Sequence, residues 1–143
     1  MVESKSTLGS QLIEAYRATN FEVHTHSPFV LNIGKTSPDL KRLFNEKSVN
    51  CGCFMTAYNP FSERRSAEEN LTAQSKLQEK LAELGNEILD GLGADPSGEW
   101  EGEPSFFALG LSIEQSKILG KEFNQNAVVW CDVGCTPELI LLR

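Results

Sequence analysis

Apolar residues along this chain switch between two periods, and the switches divide it into elements. From Ser6 to Thr19, Leu8, Leu12, Ala15 and Tyr16 recur at three- and four-residue spacing, which predicts an opening helix with one apolar face. Phe21–Thr25 and Phe29–Gly34 are short aromatic and β-branched runs separated by Ser27-Pro28, the pattern of a hairpin. Ser37 followed by Pro38 reads as an N-cap with proline at the first helical position, so a short helix through Leu40, Leu43 and Phe44 follows. Cys51–Ser62 then runs as a buried strand into a polar turn, with Asn59-Pro60 closing it because proline cannot donate to a ladder.

The second half repeats this logic. Ser66-Ala-Glu-Glu69 fits a capping box and opens a helix with Leu71, Leu77, Leu81 and Leu84 as its apolar stripe and Gly85 as its stop. Residues 89–102 hold four glycines with Asp95, Pro96 and Trp100, which predicts an exposed, mobile connection with room for a short strand at its start. Ser105–Leu111 reads as a strand, and Ser112-Ile-Glu-Gln115 as a second capping box. On the helix that follows, Ile113, Ser116, Leu119, Gly120 and Phe123 share a face whose small residues permit close approach to a sheet. Ala127–Cys131 and Glu138–Leu142 read as two last strands joined through Gly134–Pro137. The expected fold is α+β (mixed α/β): one domain over residues 1–143, a single layer of five to six mixed strands covered by three to four helices.

Composition narrows the partners. With 143 residues the chain can bury a core without staples. Twenty acidic against 13 basic residues give a net charge of −7, a field that repels a phosphate backbone and argues against non-specific nucleic-acid binding. Arg64-Arg65 is too small a patch to change that. The start, Met-Val-Glu-Ser-Lys-Ser-Thr, lacks the pattern of a secretory signal, and no apolar run approaches the roughly 18 residues of a membrane span. The expectation is a cytoplasmic protein with no membrane partner and four reduced cysteines.

Three segments in order resemble the bacterial family known as domain of unknown function 3293. They are Phe54-Met-Thr-Ala-Tyr-Asn-Pro60 with Ser66-Ala-Glu-Glu-Asn70, then Glu103-Pro-Ser-Phe106, and Phe123-Asn-Gln-Asn-Ala-Val-Val-Trp130. The resemblance implies a compact single domain and assigns no activity or catalytic residue. One departure stands out: Asn124 occupies the place before Gln125 where the family pattern leads us to expect glycine.

Candidate chemistry gathers around the strand-to-helix junction. Thr56, Asn59, Ser62 and Asn70, with Glu103, Ser105, Gln125 and Asn126 on neighbouring elements, offer paired donors and acceptors near a helix N-terminus and are the ligand-binding candidates. The competing reading has the same residues capping and bracing the turn. Glu103, at the start of a strand, is the candidate for an acid or base, whereas Glu99 and Glu101 beside Trp100 read as solvated loop charges. His24 and His26, if both lie on a strand, face the same way and could form a base or a metal ligand pair. Cys51, Cys53, Cys131 and Cys135 could join them around zinc, but the spacing is not a two-residue knuckle and strand cysteines serve mostly as small apolar groups. No metal or cofactor is therefore expected. The favoured function is a binding or interaction module for an unknown protein or small molecule, with its ligand face at the end of the strand over residues 54–57. The alternative is a small enzyme for a polar or nucleotide-like substrate using Glu103.

Overall fold

The computed structural model describes residues 8–143, so Ser6 and Thr7 of the expected first helix lie outside the described residues. The elements run α1 (Ser10–Ala18), β1 (Asn20–His24), β2 (Phe29–Leu31), α2 (Pro38–Lys47), β3 (Gly52–Met55), α3 (Ala67–Glu83), β4 (Ile88–Ala94), β5 (Glu103–Leu109), α4 (Ile113–Glu122), β6 (Ala127–Cys131) and β7 (Glu138–Leu141). A 3-10 turn, Pro60–Ser62, follows β3. The seven strands form one curled sheet in the order β2-β1-β4-β5-β3-β6-β7, and every neighbouring pair is antiparallel. The fold is α+β as expected, with seven strands instead of five to six.

The additional strand is β4. Its Ile88-Leu-Asp-Gly-Leu-Gly-Ala94 resembles a loop in composition, yet it pairs with both β1 and β5. Glycine is required there by sterics: a Cβ on Gly91 would lie 2.6 Å from the Glu22 carbonyl and 2.8 Å from the Phe54 ring. The connection proper is residues 95–102, and Asp95 organises its turn by accepting from the amides of Ser97, Glu99 and Trp100 at 2.9–3.2 Å.

Both faces of the sheet are covered, and alternation along the strands assigns each residue to one of them. Phe107 and Leu109 join Phe54, Val23 and Leu31 beneath Leu40, Leu43 and Phe44 of α2. Phe106 and Ala108 join Cys53 and Met55 beneath Leu77 and Leu81 of α3 and Leu119 of α4. Gly120 lets α4 settle onto the sheet, since a Cβ there would meet Leu142 at 2.4 Å and Val128 at 3.0 Å.

The caps form as expected. Ser37 accepts from the Leu40 amide, and both capping boxes, Ser66 with Glu69 and Ser112 with Gln115, are closed. The stripe of α3 differs: Leu71 and Leu84 are exposed, and the buried face is Asn70, Gln74, Leu77 and Leu81. Two amides replace apolar residues because the first turns of α3 lie against the unpaired backbone leaving β3. No helix among the described residues is long and apolar enough to cross a membrane.

Candidate functional site at the end of β3

α1 buries no residue, although its apolar positions are turned inward. Leu12, Ala15 and Tyr16 look across a cavity of about 560 Å³ toward Phe21 of β1 and Phe54 of β3. The cavity lies on the face that α2 covers elsewhere, at the end where β3 stops and β5 and β6 begin. Its walls are mostly apolar, as ligand cavities are, with a few polar groups at one end.

Six of the eight ligand-binding candidates line it: Thr56, Asn59, Ser62, Glu103, Ser105 and Gln125. The turn after β3 orients the first three. Asn59 stands at φ 46°, and Phe61 and Ser62 follow at 55° and 61°, so three non-glycine residues sit in the left-handed region. Such residues cost on the order of 1–2 kcal/mol each and persist only where the surroundings hold them. Here the hold is explicit. The Phe61 amide donates to the Asn124 carbonyl at 2.6 Å, and the Arg143 guanidinium lies 4.1 Å over the Phe61 ring.

Asn59 is the pivot. Its Nδ2 donates to Glu103 Oε2 at 2.8 Å, and its Oδ1 accepts from the Arg65 amide and from Asn70 Nδ2, both at 3.0 Å. Burial pushes the Glu103 carboxyl above the usual carboxylate range, and the Asn59 hydrogen bond partly opposes the shift. Tyr16 is raised as well, first by burial and further by the Glu103 carboxylate, while Ser62 and Asn126 stabilise its ionised form. The two titratable groups thus share one end of the cavity.

The other candidates brace. Asn70 accepts from the Asn59 amide at 2.9 Å and stands behind the wall. Asn126 donates to Ser62 Oγ at 2.8 Å and accepts from Arg143 at 3.1 Å, so its amide is committed to protein groups. Thr56 lines the cavity but donates its hydroxyl to the Pro104 carbonyl at 2.8 Å, and Ser105 bonds the Glu103 carbonyl at 2.9 Å. Gln74, which sequence reasoning passed over, accepts from the Ala57 amide at 2.8 Å and donates to Pro104 at 3.2 Å. Tyr16 was legible only as part of an apolar helical face. Trp100, Glu99 and Glu101 form the outer rim with Arg64.

The histidines and cysteines lie elsewhere. His24 ends β1 and pairs with Glu22 at 3.2 Å, while His26 lies in the turn beyond, so the two do not share a strand face. Cys53 packs on the α3 face and Cys131 on the α2 face of the sheet. Among the described residues, no three His, Cys, Asp or Glu side chains gather where they could hold a metal ion.

The structure therefore defines a small antiparallel α+β domain with a mostly apolar cavity at the end of β3. The chain belongs to the family described as Protein of unknown function (DUF3293), whose sequence model matches residues 55–128, just over half of the chain. That span runs from the end of β3 into β6 and holds most of the cavity's polar residues, while α1 and the first hairpin lie outside it. No curated protein and no solved structure matches the chain.

Proposed function

We propose that the protein is a small-molecule binding module whose ligand enters the cavity between α1 and the sheet, with its polar end at Asn59, Glu103 and Ser62. The observation that carries this reading is the cavity itself: about 560 Å³, apolar-walled, with six of the sequence-designated polar residues on its lining. The strained turn after β3 supports it, because residues held in the left-handed region cluster where a site needs fixed geometry. A cytosolic setting suits the four cysteines, all of which stand as free thiols.

The test is a thermal-shift screen of small amphiphiles, nucleotides and sugars on the whole chain and on Ala15→Trp. Ala15 is an exposed helical position on the cavity wall, so tryptophan there fills the space without disturbing the core. Ligands that stabilise the wild type should lose that effect in the variant. Equal shifts in both proteins would sink the proposal.

One observation favours a second, enzymatic reading. Glu103 and Tyr16 both have raised pKa values and adjoin the cavity, the arrangement expected of an acid–base pair. Under this reading Glu103→Gln retains ligand binding and abolishes turnover. A variant with undiminished turnover would remove Glu103 from the chemistry.

A further inference from the structure

We infer that the ligand is a small organic amine, its ammonium held at the Glu103 end of the cavity and its apolar or aromatic body lying between α1 and the sheet. This rests on reading the cavity as a ligand site and names the chemical class that fits it.

The polar groups of the lining decide the class. Several of their donors are engaged: Asn59 Nδ2 by Glu103, Thr56 and Ser105 by backbone carbonyls, and Gln125 Nε2 by the carbonyls of Tyr58 at 3.1 Å and Phe123 at 3.3 Å, whereas the hydroxyls of Tyr16, Ser62 and Tyr58 can donate or accept. Glu103 and Gln125 each have an acceptor left over. Glu103 Oε1 has no hydrogen-bond partner among the described residues, since Asn59 reaches only Oε2. Gln125 Oε1 has none either, although the residue is only 7% exposed and lines the cavity. The orientation of that amide is settled by the two carbonyls facing its nitrogen. Spare acceptors complement a donor-rich head, and an ammonium brings three donors and no acceptor.

Charge and aromaticity agree. Among the described residues, Glu99, Glu101 and Glu103 line the cavity against one guanidinium, that of Arg64. Tyr16, Tyr58 and Trp100 add ring faces, which attract cations. An anionic head at this end of the cavity would meet the Glu103 carboxylate. The volume, about 560 Å³, far exceeds that of a bare ammonium ion and calls for an apolar body, which Leu12, Phe21 and Phe54 are placed to receive.

Isothermal titration of the full chain with phenethylammonium, phenethyl alcohol and phenylacetate at neutral pH tests the inference, because the three share a body and differ in the head. The ammonium should bind about tenfold or more tighter than the alcohol, and the alcohol tighter than phenylacetate. In Glu103→Gln the ratio of ammonium to alcohol affinity should fall close to one. Phenylacetate binding as tightly as the ammonium would overturn the inference, as would a preference for the ammonium that survives in Glu103→Gln. If the alcohol and the ammonium bind equally, the amine class fails while the cavity stands as a ligand site. If none of the three binds folded wild type, both fail. The comparison of ligands in the wild type decides the matter even if the variant does not fold.

Discussion

Asn59 and Asn70 hold each other by a reciprocal pair of hydrogen bonds: the Asn59 amide donates to Asn70 Oδ1 at 2.9 Å, and Asn70 Nδ2 donates back to Asn59 Oδ1 at 3.0 Å. The pair fastens the first turn of α3 to the left-handed residue that also grips Glu103. Cutting it at Asn70 leaves the Asn59 backbone amide without its partner in a half-buried place and the Asn59 side-chain oxygen with only the Arg65 amide.

Asn70→Ala should therefore destabilise the protein by about 1–3 kcal/mol, the usual effect of leaving buried polar groups unmatched. Asn59→Gly and Asn59→Ala separate the two roles of the other partner. Both lose the side chain, but only alanine must also adopt φ 46° with a Cβ, so it should be the less stable by about 1 kcal/mol. Urea midpoints of the three variants measure this. Equal midpoints for the glycine and alanine variants would show that the turn relaxes once the asparagine is gone.

Glu103 links stability to pH. Its folded-state pKa is raised, so the native protein binds the proton more tightly than the unfolded chain does. Stability from this group is full below the ordinary carboxylate range and falls as pH climbs from there through the raised native value. Glu103→Gln removes that loss and keeps an oxygen for the Asn59 amide. The melting temperature of the variant minus that of the wild type should thus become more positive between pH 4, near the ordinary glutamate pKa, and pH 7. A difference that stays flat or moves the other way contradicts a raised native pKa.

The four thiols should fall into two classes. Cys51 is half-buried, whereas Cys53, Cys131 and Cys135 are buried. Burial pushes the Cys53 thiol up to about 12 and Cys131 well above its ordinary value, so neither supplies thiolate near neutrality. In native protein a disulfide reagent should modify Cys51 alone at an appreciable rate, with the other three reacting only on unfolding. Rapid release of more than one thiol equivalent would mean that the sheet opens locally around β3 or β6.

Local signals carried much of this fold. Ser37, Ser66 and Ser112 mark their helix starts by chemistry that operates within four residues, whereas the strand expected to run to Asn59-Pro60 stops at Met55, before the proline is reached. β4 was hidden because the property that makes it a strand lies in its neighbours: Gly91 is needed by Glu22 and Phe54, which are distant in sequence. The stripe of α3 misled for a related reason, since Asn70 and Gln74 are buried against backbone that a helical pattern alone does not reveal. Most polar residues of the cavity were legible, as they sit on one junction and the strands beside it. The cavity was not, because α1 forms its outer wall from a separate part of the chain.

Gly91 turns that lesson into a measurement. Alanine there must displace the Glu22 carbonyl of the paired strand β1 or the Phe54 ring, which itself stands edge-on to Phe21 at 5.1 Å. Gly91→Ala should lose about 1–3 kcal/mol of stability, as overpacking does, and narrow the cavity at its Phe21 and Phe54 wall. A variant as stable as wild type would require β1 and β4 to separate with no penalty.

Asn124 gives the opposite expectation. It stands at φ 55° after α4, with its side chain exposed and its carbonyl receiving the Phe61 amide. This is the position where the family resemblance led us to expect glycine, and asparagine meets the same requirement because it tolerates the left-handed region better than other residues with a Cβ. Asn124→Gly should leave the melting temperature nearly unchanged. Asn124→Val should lower stability by about 1–2 kcal/mol, since a β-branched residue fits that conformation poorly. The damage should extend to ligand binding, because the Phe61 amide donates to the Asn124 carbonyl and the next residue, Ser62, lines the cavity. Equal stability of the glycine and valine variants would show that the turn adopts another conformation and that its left-handed geometry does not support the site.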